Sequence, residues 1–188
     1  MNNKINLIDS GSGAYNVLSY LVESDKRFKD KCNVNLLPYQ IGNKPINEIK
    51  KMYMDKVINE SLNESNTFIC CNTLNSLYPT YNGAFNELLI YLKNNRSDKN
   101  LIICTKNTQT QLDKYYKKNL NFETITINQN IIEKIDKGII SDVELNSNLY
   151  DKLILGCTHF DLLNINTNMG VISTSMLCSN RIKSKIDL

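Results

Sequence analysis

One short stretch of the sequence places three chemically active side chains next to one another. The apolar run KLILGC, residues 152–157, ends at Cys157 and is followed at once by Thr158 and His159, the only histidine in the chain. A histidine beside a thiol can orient it or exchange a proton with it, although a lone histidine more often only caps a helix. The stretch therefore predicts a reactive thiol with an assisting imidazole.

A second cysteine occupies an equivalent position. Cys71 ends the apolar run TFICC, residues 67–71, and is followed by Asn72 and Thr73, which are suited to capping a helix. A thiol at a helix N-terminus is expected to have a lowered pKa and hence thiolate character near neutral pH. Taken singly, each cysteine is better explained as a small buried apolar residue.

Together, the two thiols predict proton transfer at a single carbon atom. If they face each other across a cleft, one thiolate can remove a proton from a chiral carbon while the other thiol returns a proton to the opposite face. Fixed dipoles and hydrogen bonds must stabilise the carbanion that forms between the two steps. If helix N-termini and hydroxyls hold the substrate's carboxylates, no nucleotide-binding loop or metal cluster is needed to hold the substrate.

The elements that would position these side chains are those of an α/β protein. Short apolar runs give way to helix-like spacing five times, at residues 5–9, 67–71, 100–105, 152–157 and 170–174. This alternation predicts mainly parallel sheets flanked by helices, with ligands bound at the carboxyl ends of the strands. A polar break, NNRSDKN at 94–100, predicts a boundary between two lobes.

Composition excludes several other classes of protein. The chain has 188 residues, 41% of them apolar, and its net charge of +3 comes from 22 basic and 19 acidic residues without a basic stripe, so no nucleic-acid surface is expected. Neither a signal peptide nor a membrane span is recognisable, which predicts a cytoplasmic protein. The six cysteines are then expected to be free thiols, and without a CxxC pair no metal site is predicted.

Four motifs carry a resemblance to a known family. DSGSG at 9–13, PYQ at 38–40, CNT at 71–73 and LGCTHF at 155–160 resemble, in this order, the DSGxGG, PYG, CNTxSA and LGCTHFPLL motifs of the bacterial glutamate racemases, within the aspartate/glutamate racemase superfamily. The resemblance runs over most of the chain, and LGCTHF is its most specific element.

The resemblance implies an architecture: two pseudosymmetric lobes, each a mainly parallel sheet flanked by helices, with the active site in the cleft between them. The first lobe comprises 1–94 and also 168–188, because the last strand and helix are expected to return to it. The second lobe comprises 95–167. No cofactor is implied, and the only partners implied are the small-molecule substrate and a second copy of the chain in a homodimer.

The resemblance also implies roles for individual residues. Cys71 and Cys157 would be the two acid/base thiols, assisted by Asp9 and His159. The implied substrate contacts are Ser10, Tyr39, Gln40, Asn72, Thr73, Thr105, Thr108 and Thr158. A glutamate that the family carries before a glycine has its counterpart in Asp136 of IIEKIDKG or, less well matched in spacing, in Glu133; either carboxylate could instead lie on a solvated helix face.

The chain departs from the family pattern in several places. Gln40, Asp161 and Ala14 replace a glycine, a proline and a glycine of the motifs, and none of these changes removes a thiol. The aspartate expected in the last strand is absent from GVISTS, where Ser173 or Thr174 stands. The chain is also shorter than typical members, especially after CTHF.

The resulting expectation is racemisation of glutamate, supplying D-glutamate for peptidoglycan. An aspartate racemase is one alternative, since the architecture is shared. A second alternative is a non-catalytic relative that binds a dicarboxylic amino acid or a protein partner; the altered glycines and the short chain favour it, and the retained thiols oppose it.

Overall fold

Two four-stranded parallel sheets organise the chain. The computed structural model describes residues 4–37, 41, 44–59, 63–116 and 118–186. The first sheet has the order β2-β1-β3-β4, and every pair in it is parallel. Its strands are β1 (Ile5–Asp9), β2 (Cys32–Leu36), β3 (Thr67–Ile69) and β4 (Asn82–Gly83).

The second sheet repeats this plan with strands from the other half of the chain. Its order is β10-β8-β5-β6, again all parallel. Its strands are β5 (Asn100–Cys104), β6 (Phe122–Thr126), β8 (Lys152–Gly156) and β10 (Gly170–Ser173). Two further strands, β7 (Asp142–Glu144) and β9 (Asn164–Asn166), form a small parallel pair. The predicted two-lobed α/β architecture with mainly parallel sheets is confirmed.

Helices connect the strands and cover both sheets. They are α1 (Gly13–Ser24), α2 (Phe28–Lys31), α3 (Ile46–Asn59), α4 (Asn72–Leu77), α5 (Ala84–Asn94), α6 (Lys106–Tyr115), α7 (Gln129–Asp136) and α8 (Thr174–Lys185), with short 3₁₀ helices at Glu64–Asn66 and Thr158–Leu162. Each sheet has a buried apolar cluster on either face. Within the ranges given above, no helix combines the length and the apolar character that crossing a membrane would require.

The strand order indicates which edge of each sheet carries the candidate site. In the first sheet the chain moves from β1 to β2 on one side and to β3 on the other, and in the second sheet it moves from β5 to β6 and then to β8 in the same way. Such a reversal opens a crevice at the carboxyl ends of the two central strands, which is where open α/β sheets bind ligands. The segments after β1, β3, β5 and β8 therefore supply the walls of the site.

The end of the chain differs in part from the prediction that 168–188 returns to the first lobe. Strand Gly170–Ser173 pairs with β8 and belongs to the second sheet, so the prediction is wrong for the strand. Helix Thr174–Lys185 does pack on α1 and α5, and its Cys178 and Ile182 are buried in the core of the first lobe. The strand and the helix thus tie the two lobes together, and the lobe boundaries themselves stay a prediction.

The segment after Cys157 is also shorter in its helical part than the sequence suggests. Instead of an α-helix, Thr158–Leu162 forms one 3₁₀ segment that is closed by a hydrogen bond from the Leu163 amide to the Phe160 carbonyl. The chain then enters strand β9 directly. Because Asn164–Asn166 pairs with β7, these residues do not continue a helix.

Candidate active site

One cavity lies between the carboxyl edges of the two sheets. Its free volume is about 20 Å³, room for a single water molecule. It is lined by Ser10, Ile41, Cys71, Asn72, Thr73, Thr105, Thr108, Ile132, Cys157 and His159. Cys71 comes from the first sheet and Cys157 from the second, and each is 8% exposed. The structure therefore brings the two predicted thiols into the wall of one shared cavity.

Asp9, at the end of β1, lies behind this wall rather than in it. Its carboxylate is fully buried and accepts hydrogen bonds from the backbone amides of Ser10 (2.6 Å) and Gly11 (3.2 Å). The Thr158 hydroxyl donates to its other oxygen at 3.0 Å. Burial raises the pKa of the Asp9 carboxyl above its ordinary value, against the opposing effect of His159 and of these donors. Asp9 thus joins the first lobe to the 157–159 segment of the second.

Cys71 lies at the N-terminus of α4 as predicted, but Cys71 itself, and not Asn72 or Thr73, is the N-cap residue. Its electrostatics also differ from the prediction. Burial raises the pKa of the Cys71 thiol far above its ordinary value, and the nearby Asp9 carboxylate raises it further. The expectation of a lowered pKa for this thiol is therefore wrong, because α4 has only six residues and desolvation outweighs its dipole. Ser10 Oγ lies 3.6 Å from the sulfur. Cys71 is held as a protonated thiol.

Cys157 has a different neighbour. Its sulfur lies 3.6 Å from Nδ1 of His159, two residues further on. The segment that carries both is anchored to the first lobe, since Asn16 Nδ2 donates to the Thr158 carbonyl at 2.6 Å and the Ser175 hydroxyl donates to the same oxygen at 3.4 Å. These bonds fix the imidazole against the thiol. The predicted pairing of Cys157 with His159 is present.

His159 in turn contacts the acidic residue at the end of α7. Nε2 of His159 lies 3.2 Å from Asp136 Oδ1, as an ion pair rather than a well-directed hydrogen bond. Burial works against the charged form of the imidazole, but Cys157 and the two nearby carboxylates outweigh it, so the pKa of His159 lies well above its ordinary value. The Ser12 hydroxyl donates to the same oxygen of Asp136 at 2.8 Å. A cationic imidazole therefore stands beside Cys157.

Glycines allow the β1–α1 loop to approach these groups. A Cβ atom at Gly11 would collide with Nε2 of His159 and would lie 3.2 Å from Oδ2 of Asp136. A Cβ at Gly13 would collide with the Thr158 hydroxyl and would lie 2.6 Å from Oδ2 of Asp9. Both positions are therefore restricted to glycine by close contact with the second lobe, and this contact explains the glycines of the SGSG run.

Three threonine hydroxyls form the far wall. Thr73 Oγ1 lies 3.0 Å from Thr105 Oγ1 and 3.2 Å from Thr108 Oγ1, and the last two are 3.1 Å apart. Thr73 belongs to the first lobe, whereas Thr105 is the N-cap of α6 in the second and accepts a bond from the Thr108 amide. All three are buried. They bring hydroxyls from both lobes to one point of the cavity, where these groups are hydrogen-bonded to one another.

The remaining predicted residues fall into three groups. Tyr39 and Gln40 lie outside the described residues. Glu133 is exposed on α7, whereas Asp136 is in contact with His159, so the structure favours Asp136 as the acidic residue. Ser173 caps α8 by accepting bonds from the amides of residues 175 and 176.

Some residues of this region are not identified by the sequence patterns. These residues are Ser12, Ile41 and Ile132. The sequence patterns identify Thr174 only as a residue that stands in place of a missing aspartate. The SGSG run is the one local signal for Ser12. In the described part of the chain, no three His, Cys, Asp or Glu side chains are grouped so that they could hold a metal ion.

Comparisons with known proteins identify the fold. No sequence-family model matches the chain, and no curated protein matches it either. Among solved structures, the glutamate racemase of Campylobacter jejuni is similar, with a TM-score of 0.68 and 20% identity over 98% of this chain and 86% of that one. The Thermus thermophilus enzyme in complex with β-chloro-D-alanine has a TM-score of 0.71 and 16% identity over 96% and 79% of the two chains.

The same likeness extends to a structure with bound amino acid. The glutamate racemase of Francisella tularensis in complex with D-glutamate has a TM-score of 0.70 and 16% identity, covering 98% of this chain and 81% of that one. At such low identity the likeness concerns the fold. The chain therefore has the two-lobed fold of the glutamate racemases, in a shorter and divergent form.

Proposed function

We propose that this protein is an amino-acid racemase that interconverts L- and D-glutamate without a cofactor, using Cys71 and Cys157 as its two bases. The observation that carries the proposal is the shared cavity, into which each sheet contributes one thiol. A protein that only binds its ligand has no need of two opposed sulfur bases. The fold, which is that of the glutamate racemases, supports the same activity.

The charges around the two sulfurs support different roles for the two thiols, one as proton donor and the other as proton acceptor. The raised pKa of Cys71 keeps that residue as a proton donor. At Cys157 the protonated His159 ring, 3.6 Å away, stabilises a thiolate and so provides a proton acceptor. A racemase of this type needs one donor and one acceptor at any moment. The two environments supply this difference before substrate arrives.

The proposed reaction conserves protons within the pair. The Cys157 thiolate takes the α-proton from one face of the substrate, and the electron pair of the broken C–H bond remains on Cα, spread into the α-carboxylate. The Cys71 thiol then gives its proton to the opposite face. The product leaves Cys157 as a thiol and Cys71 as a thiolate, which is the state that reacts with the other enantiomer. Hydroxyls and backbone amides around the cavity stabilise the carbanion between the steps.

Recognition of a dicarboxylic substrate is assigned to neutral donors. Among the described residues that line the cavity there is no lysine or arginine, whereas Thr73, Thr105 and Thr108 present three buried hydroxyls. Hydroxyl groups can donate to a carboxylate, and such bonds strengthen in a buried site. Glutamate is chosen over aspartate on the resemblance of the CTHF motif and on the fold, and its D form would serve peptidoglycan synthesis.

Isotope exchange tests the proposal directly. Purified protein is incubated in deuterated water with L-glutamate, D-glutamate or L-aspartate, and loss of the α-proton signal is followed by NMR. The proposal expects exchange with both enantiomers of glutamate and none with a Cys71→Ala/Cys157→Ala double variant. Exchange with aspartate alone would correct the substrate. Binding of glutamate by calorimetry without any exchange would identify a non-catalytic relative instead.

A further inference from the structure

A buried hydrogen-bond chain runs from the second sheet to the cavity. It begins at the backbone carbonyl of Leu155 in β8, which lies 2.8 Å from the hydroxyl of Thr174, the first residue of α8. A carbonyl oxygen can only accept, so the hydroxyl donates its single proton to it. Thr174 is fully buried, and the direction of this bond is therefore fixed.

The fixed direction decides how the next side chain is turned. Thr174 Oγ1 lies 2.9 Å from Nδ2 of Asn72. Because the hydroxyl proton is already donated to Leu155, Oγ1 can only accept here, and it must face the NH₂ end of the amide. A backbone carbonyl thus sets the orientation of the Asn72 side chain from two bonds away.

The other end of that amide has no partner. Asn72 lines the cavity next to Cys71 and is 2% exposed, and among the residues that the structure describes its Oδ1 has no hydrogen-bond partner. A buried acceptor that lacks a donor is unfavourable by about 1–3 kcal/mol. A ligand that brings an N–H group to this atom would remove the penalty. The threonine hydroxyls of the opposite wall, in contrast, carry donor protons, and a carboxylate can accept one of them in place of a hydrogen bond within that group.

We infer that Thr174 is a positioning residue that presents Asn72 Oδ1 as an acceptor for the ammonium group of an amino-acid substrate. The inference rests on the proposed function, since it assigns the ammonium subsite of the same cavity. Glutamate and its C5 analogue glutarate both carry two carboxylates, and only glutamate carries an ammonium group. The Leu155–Thr174–Asn72 chain therefore controls the preference of the cavity for glutamate over glutarate.

Calorimetric titration with L-glutamate and with glutarate tests this role without relying on turnover. The wild-type protein should bind glutamate more tightly. In Thr174→Val, which keeps the shape but loses the hydroxyl, the preference should fall about tenfold to a hundredfold, the factor for one hydrogen bond to a charged group. Thr174→Ser should restore it. In the exchange assay KM for glutamate should rise more than kcat falls.

The matched control is Thr67→Val, another fully buried threonine, whose hydroxyl is unpartnered in the described structure and lies away from the cavity. It should leave the preference unchanged. If Thr174→Val weakens glutamate and glutarate equally, or changes neither, the inference is wrong while the racemase proposal stands. A wild-type protein that binds neither compound overturns both. Should Thr174→Val fail to fold, Thr174→Ala gives the same comparison without the branched side chain.

Discussion

Asp136 Oδ1 lies 3.2 Å from Nε2 of His159, whose other nitrogen lies 3.6 Å from the sulfur of Cys157. The carboxylate stabilises the charged imidazole, and the charged imidazole stabilises a thiolate. Both nitrogens of the ring are thereby used, which fixes its orientation as well as its charge. The end of α7 therefore acts on Cys157 although it does not touch the sulfur.

Replacing this carboxylate should make Cys157 less reactive. In Asp136→Asn the imidazole loses a negative neighbour, so its pKa falls and less of the cation remains at pH 7. We expect iodoacetamide to alkylate Cys157 about threefold to tenfold more slowly at pH 7, for about 0.7–1.4 kcal/mol of lost stabilisation. The measurement uses a Cys71→Ser background so that one cavity thiol reports.

A control separates this effect from a general change in charge. Asp30→Asn, on the exposed helix α2, removes an equal charge far from the cavity and should leave the alkylation rate unchanged. Equal alkylation of Cys157 with and without the Asp136→Asn change across pH 6 to 9 would show that the carboxylate does not influence the thiol.

Ser12 should act only through Asp136. Its hydroxyl donates to the carboxylate oxygen that faces His159, so Ser12→Ala frees the carboxylate to turn away. We expect a decrease of about twofold to fivefold in Cys157 alkylation, the size of one exposed hydrogen bond of about 0.5–1 kcal/mol. In an Asp136→Ala background the same Ser12→Ala change should have no further effect. Additive losses in the double variant would mean that Ser12 acts by another route.

Much of the site could be predicted from the sequence because it follows from local patterns. Cys157 and Thr105 come directly after a short apolar strand, and Cys71 comes two residues after one. Asp9 is the last residue of another. Parallel strands bring their carboxyl ends to one edge, so residues at these positions converge whatever the details of packing. The order of elements was sufficient to place both thiols at one cavity.

The rest depends on contacts between distant parts of the chain. Ser12 and Asp136 are 124 residues apart, and Asn72 and Thr174 are 102 residues apart, so no local spacing reveals either pair. The pKa of Cys71 is misjudged for the same reason, since burial and the Asp9 carboxylate are properties of the folded molecule. The pairing of the last strand with β8 rather than with the first sheet is likewise determined by tertiary contacts.

Gly11→Ala should damage the site more than it damages the fold. The added methyl group must displace His159 or Asp136, and overpacking of this kind costs about 1–3 kcal/mol. Gly138→Ala is a matched comparison: its Cβ meets nothing within 4 Å, but its φ of 76° makes an alanine strained by about 1 kcal/mol.

Both glycine variants should therefore lower the urea midpoint, whereas only Gly11→Ala should slow Cys157 alkylation and α-proton exchange. Equal exchange rates in the two variants would show that the loop tolerates a side chain at residue 11.

Asp9→Asn should change how stability depends on pH. The folded-state pKa of Asp9 is raised above the usual 3.8, so the folded chain binds more protons than the unfolded chain between that value and the raised one. In this window the unfolding free energy of the wild-type protein falls as pH rises, and the Asp9→Asn variant lacks this contribution because an amide does not titrate. The difference in unfolding free energy, variant minus wild type, should therefore increase from pH 4 upward. Urea titrations at several pH values measure it, and a difference that decreases instead would mean that folding favours the ionised carboxylate.

Single replacements of the two thiols should separate the two halves of the reaction. Cys71→Ser and Cys157→Ser each remove one acid/base group, and racemisation should fall by about 10²–10⁴, the usual contribution of such a group. In Cys71→Ser the Cys157 thiolate can still remove and return a proton on its own face, so this variant should exchange the α-proton of one enantiomer in deuterated water without inverting it. In Cys157→Ser the remaining Cys71 is a protonated thiol, so exchange of either enantiomer should be far slower.

The exchange in Cys71→Ser should be confined to one enantiomer, because in the proposed reaction each sulfur acts on one face of Cα. Circular dichroism follows inversion, and NMR follows exchange. Wild-type turnover in both variants, or exchange of the same enantiomer by both, would contradict a mechanism in which the two sulfurs act on opposite faces of one carbon.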